Sequence, residues 1–111
     1  MISVKATEGK EYDAKRHFGM WGMQKIVAGQ QSQRITASTS FFLPNGGAEM
    51  CSSAAERIYM VLEGSITVSG PNEKHVLEAG DLVYIAPGEE RDMAVNNNTY
   101  AKVMVFVINV D

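Results

Sequence analysis

Ile58-Tyr59-Met60-Val61-Leu62-Glu63-Gly64-Ser65-Ile66-Thr67-Val68 reads as two short strands joined at a single glycine. β-Branched and aromatic residues fill both arms, and Gly64 stands where a tight hairpin needs a positive φ. Outward from this hairpin the same rhythm repeats. Arg57–Glu63 ends at Gly64, and Ser65–Ser69 ends at Gly70-Pro71-Asn72. Lys74–Leu77 stops at Glu78-Ala79-Gly80-Asp81, Leu82–Ala86 at Pro87-Gly88, and Arg91–Val95 at Asn96-Asn97-Asn98. Tyr100–Val110 closes the series, and upstream residues 34–43, rich in Ile, Thr and Phe, are expected to stop at Pro44-Asn45-Gly46-Gly47. Many short strands at even spacing predict an all-β sandwich or barrel rather than a parallel sheet with crossover helices. The best helical signal is one short turn at Asp13-Ala14-Lys15-Arg16-His17, capped by Asp13.

The chain has 111 residues, the length of one domain. We divide it into an N-terminal arm over residues 1–33, covering the barrel, and a barrel core over residues 34–110. Ten Lys+Arg against thirteen Asp+Glu give a net charge of -3, with no basic run, so a nucleic-acid partner is not expected. The longest apolar run, Val103–Ile108, is too short to span a bilayer, so no membrane partner is expected either. Residues Met1-Ile2-Ser3-Val4-Lys5 carry no apolar segment of the secretory type, and Cys51 is the one cysteine. Both facts fit a cytoplasmic protein. Two histidines occur, His17 and His75, and His75 is expected at the surface beside the Gly70-Pro71-Asn72 turn.

Strand parity adds an expectation about assembly. Arg57, Tyr59 and Val61 share one face of their strand while Ile58, Met60 and Leu62 share the other; Val103, Val105 and Val107 oppose Met104, Phe106 and Ile108. A strand wetted on one side alternates apolar with polar residues, and these two do not. Their outer faces therefore need a cover, either the N-terminal segment or a second copy, and a homodimer is the expectation.

The hairpin resembles the central hairpin of small single-domain cupins. Leu77-Glu78-Ala79-Gly80-Asp81-Leu82-Val83-Tyr84-Ile85-Ala86-Pro87-Gly88 is similar to the family's second motif, and the resemblance spans roughly residues 41–107. It implies a double-stranded β-helix, a jelly-roll barrel, with a small-molecule site inside its mouth. Most cupins hold a divalent metal through two histidines and a glutamate in the first motif and one histidine in the second. Placed on that pattern, Arg57 takes the glutamate position and Arg91 the histidine of the second motif. The two remaining histidine positions fall on Cys51 and Ser53, or on Met50 and Ser52, depending on the motif spacing. Two guanidinium groups beside a dication in a low-dielectric cavity would cost several kcal/mol, so no metal and no cofactor are expected.

The expected pocket is a cationic one for a small organic anion, a carboxylate or phosphate held between Arg57 and Arg91. Glu49 has the parity of Cys51 and Ser53 and is expected to face inward as a partial counter-charge. Tyr59 supplies a phenol, while Met93 and Val61 supply apolar wall. Alternatively, the two arginines pair structurally with Glu49, Glu56, Glu89 or Glu90. Cys51 has no histidine partner in the sequence and reads as a small hydrophobe rather than a nucleophile. His17 and Trp21 lie where the N-terminal strands of similar cupins fold over the mouth. Two kinds of function fit. One is an enzyme moving a proton through Glu49, Tyr59 or His17, for isomerisation, epimerisation, cyclisation or elimination. The other is a non-catalytic binding or sensing module. A metal held by a rearranged set of His17, Glu49 and Cys51 is a third reading.

Overall fold

Strand propensity and turn chemistry produce nine strands and no helix among the described residues, 1–110, of a computed structural model. In chain order these are β1 (Lys10–Tyr12), β2 (His17–Ile26), β3 (Ile35–Cys51), β4 (Glu56–Glu63) and β5 (Ser65–Ser69). They continue with β6 (Lys74–Glu78), β7 (Leu82–Ile85), β8 (Arg91–Val95) and β9 (Ala101–Ile108). The strands pair antiparallel in the order β6-β5-β8-β3-β9-β4-β7, with β2 joined to β3 and β1 to β2. The all-β expectation holds, and the arrangement is that of a jelly-roll barrel.

β3 organises the barrel. β2 lies along one of its edges, and the other edge is shared in succession by β9 and β8. Residues 35–42 pair with β9, and the pairing with β8 begins at Gly47. The segment Pro44-Asn45-Gly46-Gly47 thus kinks the strand between two neighbours instead of ending it, as its turn chemistry suggested. Asn45 takes a φ of 68° at the kink. The glycines serve close approach: a Cβ on Gly46 would strike the carbonyl of Gly19, and one on Gly47 the carbonyl of Met93.

The N-terminal segment also departs from expectation. Asp13–His17 is a tight turn with Arg16 at a φ of 61°, not a helical turn. Pairing of Tyr12 with Gly22 commits the flanking chain to strands, which leaves no room for a helix. β1 and β2 extend the sheet edgewise beside β3 and carry this turn to one end of the barrel. They do not lie over the outer faces of β4 and β7, where Leu82 and Tyr84 stay 57% and 51% exposed.

Inward-facing residues change character along the barrel axis. Phe42, Val61, Ile66 and Val103 are fully buried and, with Leu77, Val68 and Ala101, close one end. The register sets the rows. Ser40, Val103 and Val61 align across β3-β9-β4; one row outward come Ser38, Val105 and Tyr59; then Thr36, Val107 and Arg57 at the mouth. Apolar floor therefore grades into polar rim over three rows, about 14 Å along the strands.

Candidate functional site

The open end of the barrel holds a cavity of about 740 Å³. β4 brings Arg57 and Tyr59 to its wall, β8 brings Arg91 and Met93, and the end of β3 with the following loop brings Cys51 and Ser53. Six of the residues singled out from the sequence therefore meet in one place. His17 joins them from the start of β2, its ring stacked on Phe42 with centroids 6.4 Å apart. Trp21 does not: it packs against Phe41 at 4.9 Å and is 41% exposed. His75 is at the surface, beside Glu73.

Glu49 is exposed and outside the cavity lining. The register between β3 and β8 slips between Ala48 and Cys51, and this bulge breaks the alternation that tied Glu49 to Cys51 and Ser53. What Glu49 supplies is its backbone N–H, which donates to the Arg16 carbonyl at 2.8 Å and pins the β1–β2 turn at the mouth. Val61 likewise belongs to the floor of the barrel rather than to the cavity wall.

Arg91 is the most buried charged side chain of the site, at 8% exposure. Its Nε donates to the Tyr59 hydroxyl at 3.2 Å, and its Nη1 donates to the Cys51 carbonyl at 2.7 Å and contacts Cys51 Sγ at 3.2 Å. Arg57 donates from Nη1 to the Ser53 hydroxyl. Burial holds the Arg57 guanidinium below the usual arginine value; Tyr59 opposes this, and the charge of Arg91 adds to it. Neither arginine forms an ion pair among the described residues. Of the carboxylates expected for structural pairing, Glu56 accepts from Tyr84 at 2.6 Å, Glu89 accepts from the Ala86 N–H at 3.2 Å, and Glu49 lies outside the cavity; Glu90 lines the cavity but forms no ion pair with either arginine. Arg91 Nη2 and Arg57 Nε and Nη2 have no protein partner among the described residues, so donors remain for a ligand.

His17 Nδ1 lies 2.7 Å from the Lys15 carbonyl and donates to it. In the neutral ring this leaves the lone pair on Nε2, the form a general base requires. The β1–β2 turn, expected from the sequence as a short helical turn in the N-terminal arm, adds Tyr12, Asp13, Lys15 and Arg16 to the rim. β3 adds Thr36, Ser38 and Ser40, a hydroxyl at every second residue. That period-two pattern was visible in the sequence, but its facing was not.

A divalent metal does not fit the residues present. On the cupin pattern Arg57 and Arg91 take two of the ligand positions, and both are permanently cationic. Among the described residues no three His, Cys, Asp or Glu side chains converge. The rearranged set of His17, Glu49 and Cys51 is not assembled, because Glu49 points away from the other two.

A jelly-roll barrel with its cavity at the open end and its site on β3, β4 and β8 defines a class, and comparison with known proteins agrees. The chain matches the Cupin domain family (Cupin_2) over residues 39–108 and belongs to it. It is 30% identical over 109 residues to a protein named β-D-galactosidase Rv1717 of Mycobacterium tuberculosis, covering 96% of this chain and 91% of that one. It is similar in structure to the polyketide cyclase RemF from Streptomyces resistomycificus, with a TM-score of 0.84 at 19% identity over 97% of this chain and 79% of the other. KdgF from Halomonas sp. superposes with a TM-score of 0.76 at 15% identity over 97% and 94% of the two chains. No helix of the described residues is long and apolar enough to cross a membrane.

Proposed function

We propose that this cupin binds a small organic anion, a carboxylate or phosphate, between Arg57 and Arg91 without a metal, and transfers a proton on it. The observation that carries this reading is the pair of cavity arginines with free N–H groups and no carboxylate partner among the described residues. Unpaired guanidinium groups in a concave, half-apolar site are costly until an anion fills the fork. Once bound, the same donors would stabilise enolate charge developing on the ligand. His17 Nε2 is the candidate base and the Tyr59 O–H the candidate acid, whereas Glu49 is too far outside to serve. Isomerisation, epimerisation, cyclisation and elimination share this demand for one anion hold and one proton carrier.

Thermal-shift and calorimetric screening with small carboxylates and sugar phosphates tests the reading. Anions are expected to stabilise the wild type and to lose at least tenfold in affinity in Arg57→Ala and Arg91→Lys. Stabilisation that survives both substitutions would falsify the proposal. Binding without turnover of any ligand would assign the same pocket to a sensing module.

A second reading, hydrolysis of a β-galactoside, takes its support from the name of the Mycobacterium relative. Glycoside hydrolysis uses two carboxyl groups about the scissile bond, and Asp13 and Glu90 both line this cavity. Release of nitrophenol from nitrophenyl β-D-galactoside, lost in Asp13→Asn and in Glu90→Gln, is what this reading expects. An inert wild type, or activity indifferent to both substitutions, removes it.

We also infer that two copies associate through the outer faces of β4, β7 and β9, which the chain's own N-terminal strands leave open.

A further inference from the structure

The cavity has two chemically different walls. On β4 and β8 stand Arg57, Arg91 and Tyr59, which offer donors to an anion. On β2 and β3 stand Gln24, Ser38 and Ser40, which are neutral and can both donate and accept. Ser38 and Ser40 are only 3% and 2% exposed, yet neither hydroxyl has a protein hydrogen-bond partner among the described residues. No side-chain N or O atom is both fully buried and unpartnered, so these hydroxyls open into the cavity that they line.

Their position in the barrel does not by itself call for polarity. In the same rows, one strand away, β9 carries Val105 beside Ser38 and Val103 beside Ser40. An inward barrel position is filled by default with an apolar side chain, and β9 follows that rule where β3 does not. Hydroxyls that the protein leaves without a partner are satisfied from the cavity side, by water or by ligand groups that replace it. Gln24 lies directly opposite Ser38 in the β2–β3 pairing and adds an amide to the same wall. Between the neutral wall and the cationic one, Val105 and Val107 form a strip of apolar surface.

We infer that the ligand is a small polyhydroxylated anion, a sugar carrying a carboxylate or phosphate, whose hydroxyls are read by Ser38, Ser40 and Gln24. This deepens the anion-pocket reading and rests on it. The acidic group lies in the arginine fork, the hydroxyls meet side chains that can answer both as donor and as acceptor, and the C–H face of the ring lies on the valines. A plain aromatic or aliphatic acid satisfies the fork and leaves the serine wall bare, so it is discriminated against at that wall.

The experiment compares matched probes by calorimetry. The carboxylate pair is a set of hexuronates (D-glucuronate, D-galacturonate and D-mannuronate) against cyclohexanecarboxylate. The phosphate pair is glucose 6-phosphate against cyclohexyl phosphate. In at least one pair the sugar is expected to bind about tenfold or more tightly than the bare ring, and the difference to shrink in Ser38→Ala/Ser40→Ala. The wild-type comparison stands even if that variant folds poorly, and the pair that shows the difference tells carboxylate from phosphate. Equal binding of sugar and bare ring, still dependent on Arg57, overturns the inference and leaves the anion pocket in place. No anion binding that depends on Arg57 overturns both.

Discussion

Arg57 carries a charge that the fold does not neutralise. Its one protein hydrogen bond goes to the Ser53 hydroxyl, and burial together with the neighbouring Arg91 disfavours its protonated form. On the anion-pocket proposal the residue is kept at this cost for the ligand and not for stability. Arg57→Met, which keeps the apolar stem and removes the charge, is expected to raise ligand-free stability by about 0.5–1 kcal/mol in urea unfolding. The same variant is expected to lose the thermal stabilisation by anions. A loss of stability of similar size would instead make the guanidinium a structural group. Both arginines were legible in the sequence because the family pattern leaves fixed positions for ligands and these residues occupy two of them. The serines of β3 were not legible as a wall. Hydroxyls stand at 36, 38, 39 and 40, on both faces of the strand, and only the pairing with β9 tells which of them look inward.

At the scale of elements, β3 determines where the site residues go. Its first part builds the neutral wall against β9, its kink transfers it to β8, and its bulge before Cys51 resets which side chains face the cavity. Sequence patterning located most strand ends because Gly and Pro mark them, and it failed where those residues do another job. Pro44-Asn45-Gly46-Gly47 looks like a turn, but here the missing side chains let β3 approach β2 and β8. Glu49 was misplaced for the related reason that alternation persists only while the register is unbroken. Gly47→Ala sets a methyl group against the Met93 backbone carbonyl, which cannot swing aside as a side chain would. The expected cost is about 2–3 kcal/mol, read as a lower denaturation midpoint with an unchanged slope. A near-wild-type midpoint would show slack between β3 and β8.

For the whole molecule, the outer surface of β4, β7 and β9 is the face on which we propose that two copies meet. Ile58 pairs with both Phe106 and Tyr84, and Met60 with both Met104 and Leu82, giving one patch across three strands. Sedimentation is expected to find twice the chain mass of 12.1 kDa. Leu82→Asp and Tyr84→Asp, at positions more than half exposed, are expected to yield folded monomers. A wild-type monomer at micromolar concentration contradicts the dimer. An all-β sandwich or barrel was readable from turn chemistry, and the jelly roll from the family resemblance. The hairpin expected across Gly64 does not form, because β4 pairs with β7 and β9 while β5 pairs with β6 and β8. What local signals do not carry is which distant strands meet.

β9 is the clearest such case. It is the ninth strand in chain order, yet it stands between β3 and β4, hydrogen-bonded to both. The neutral wall and the cationic wall are therefore held together by residues 101–108, which are translated after every polar residue that lines the cavity and which add Val105 and Val107 to it. A nascent chain stalled at Tyr100 has the polar side chains of the cavity but neither its valine strip nor the strand that joins its walls, and the β3 and β4 edges that β9 covers are bare. Chaperone occupancy should thus peak late in synthesis and fall once β9 clears the ribosome.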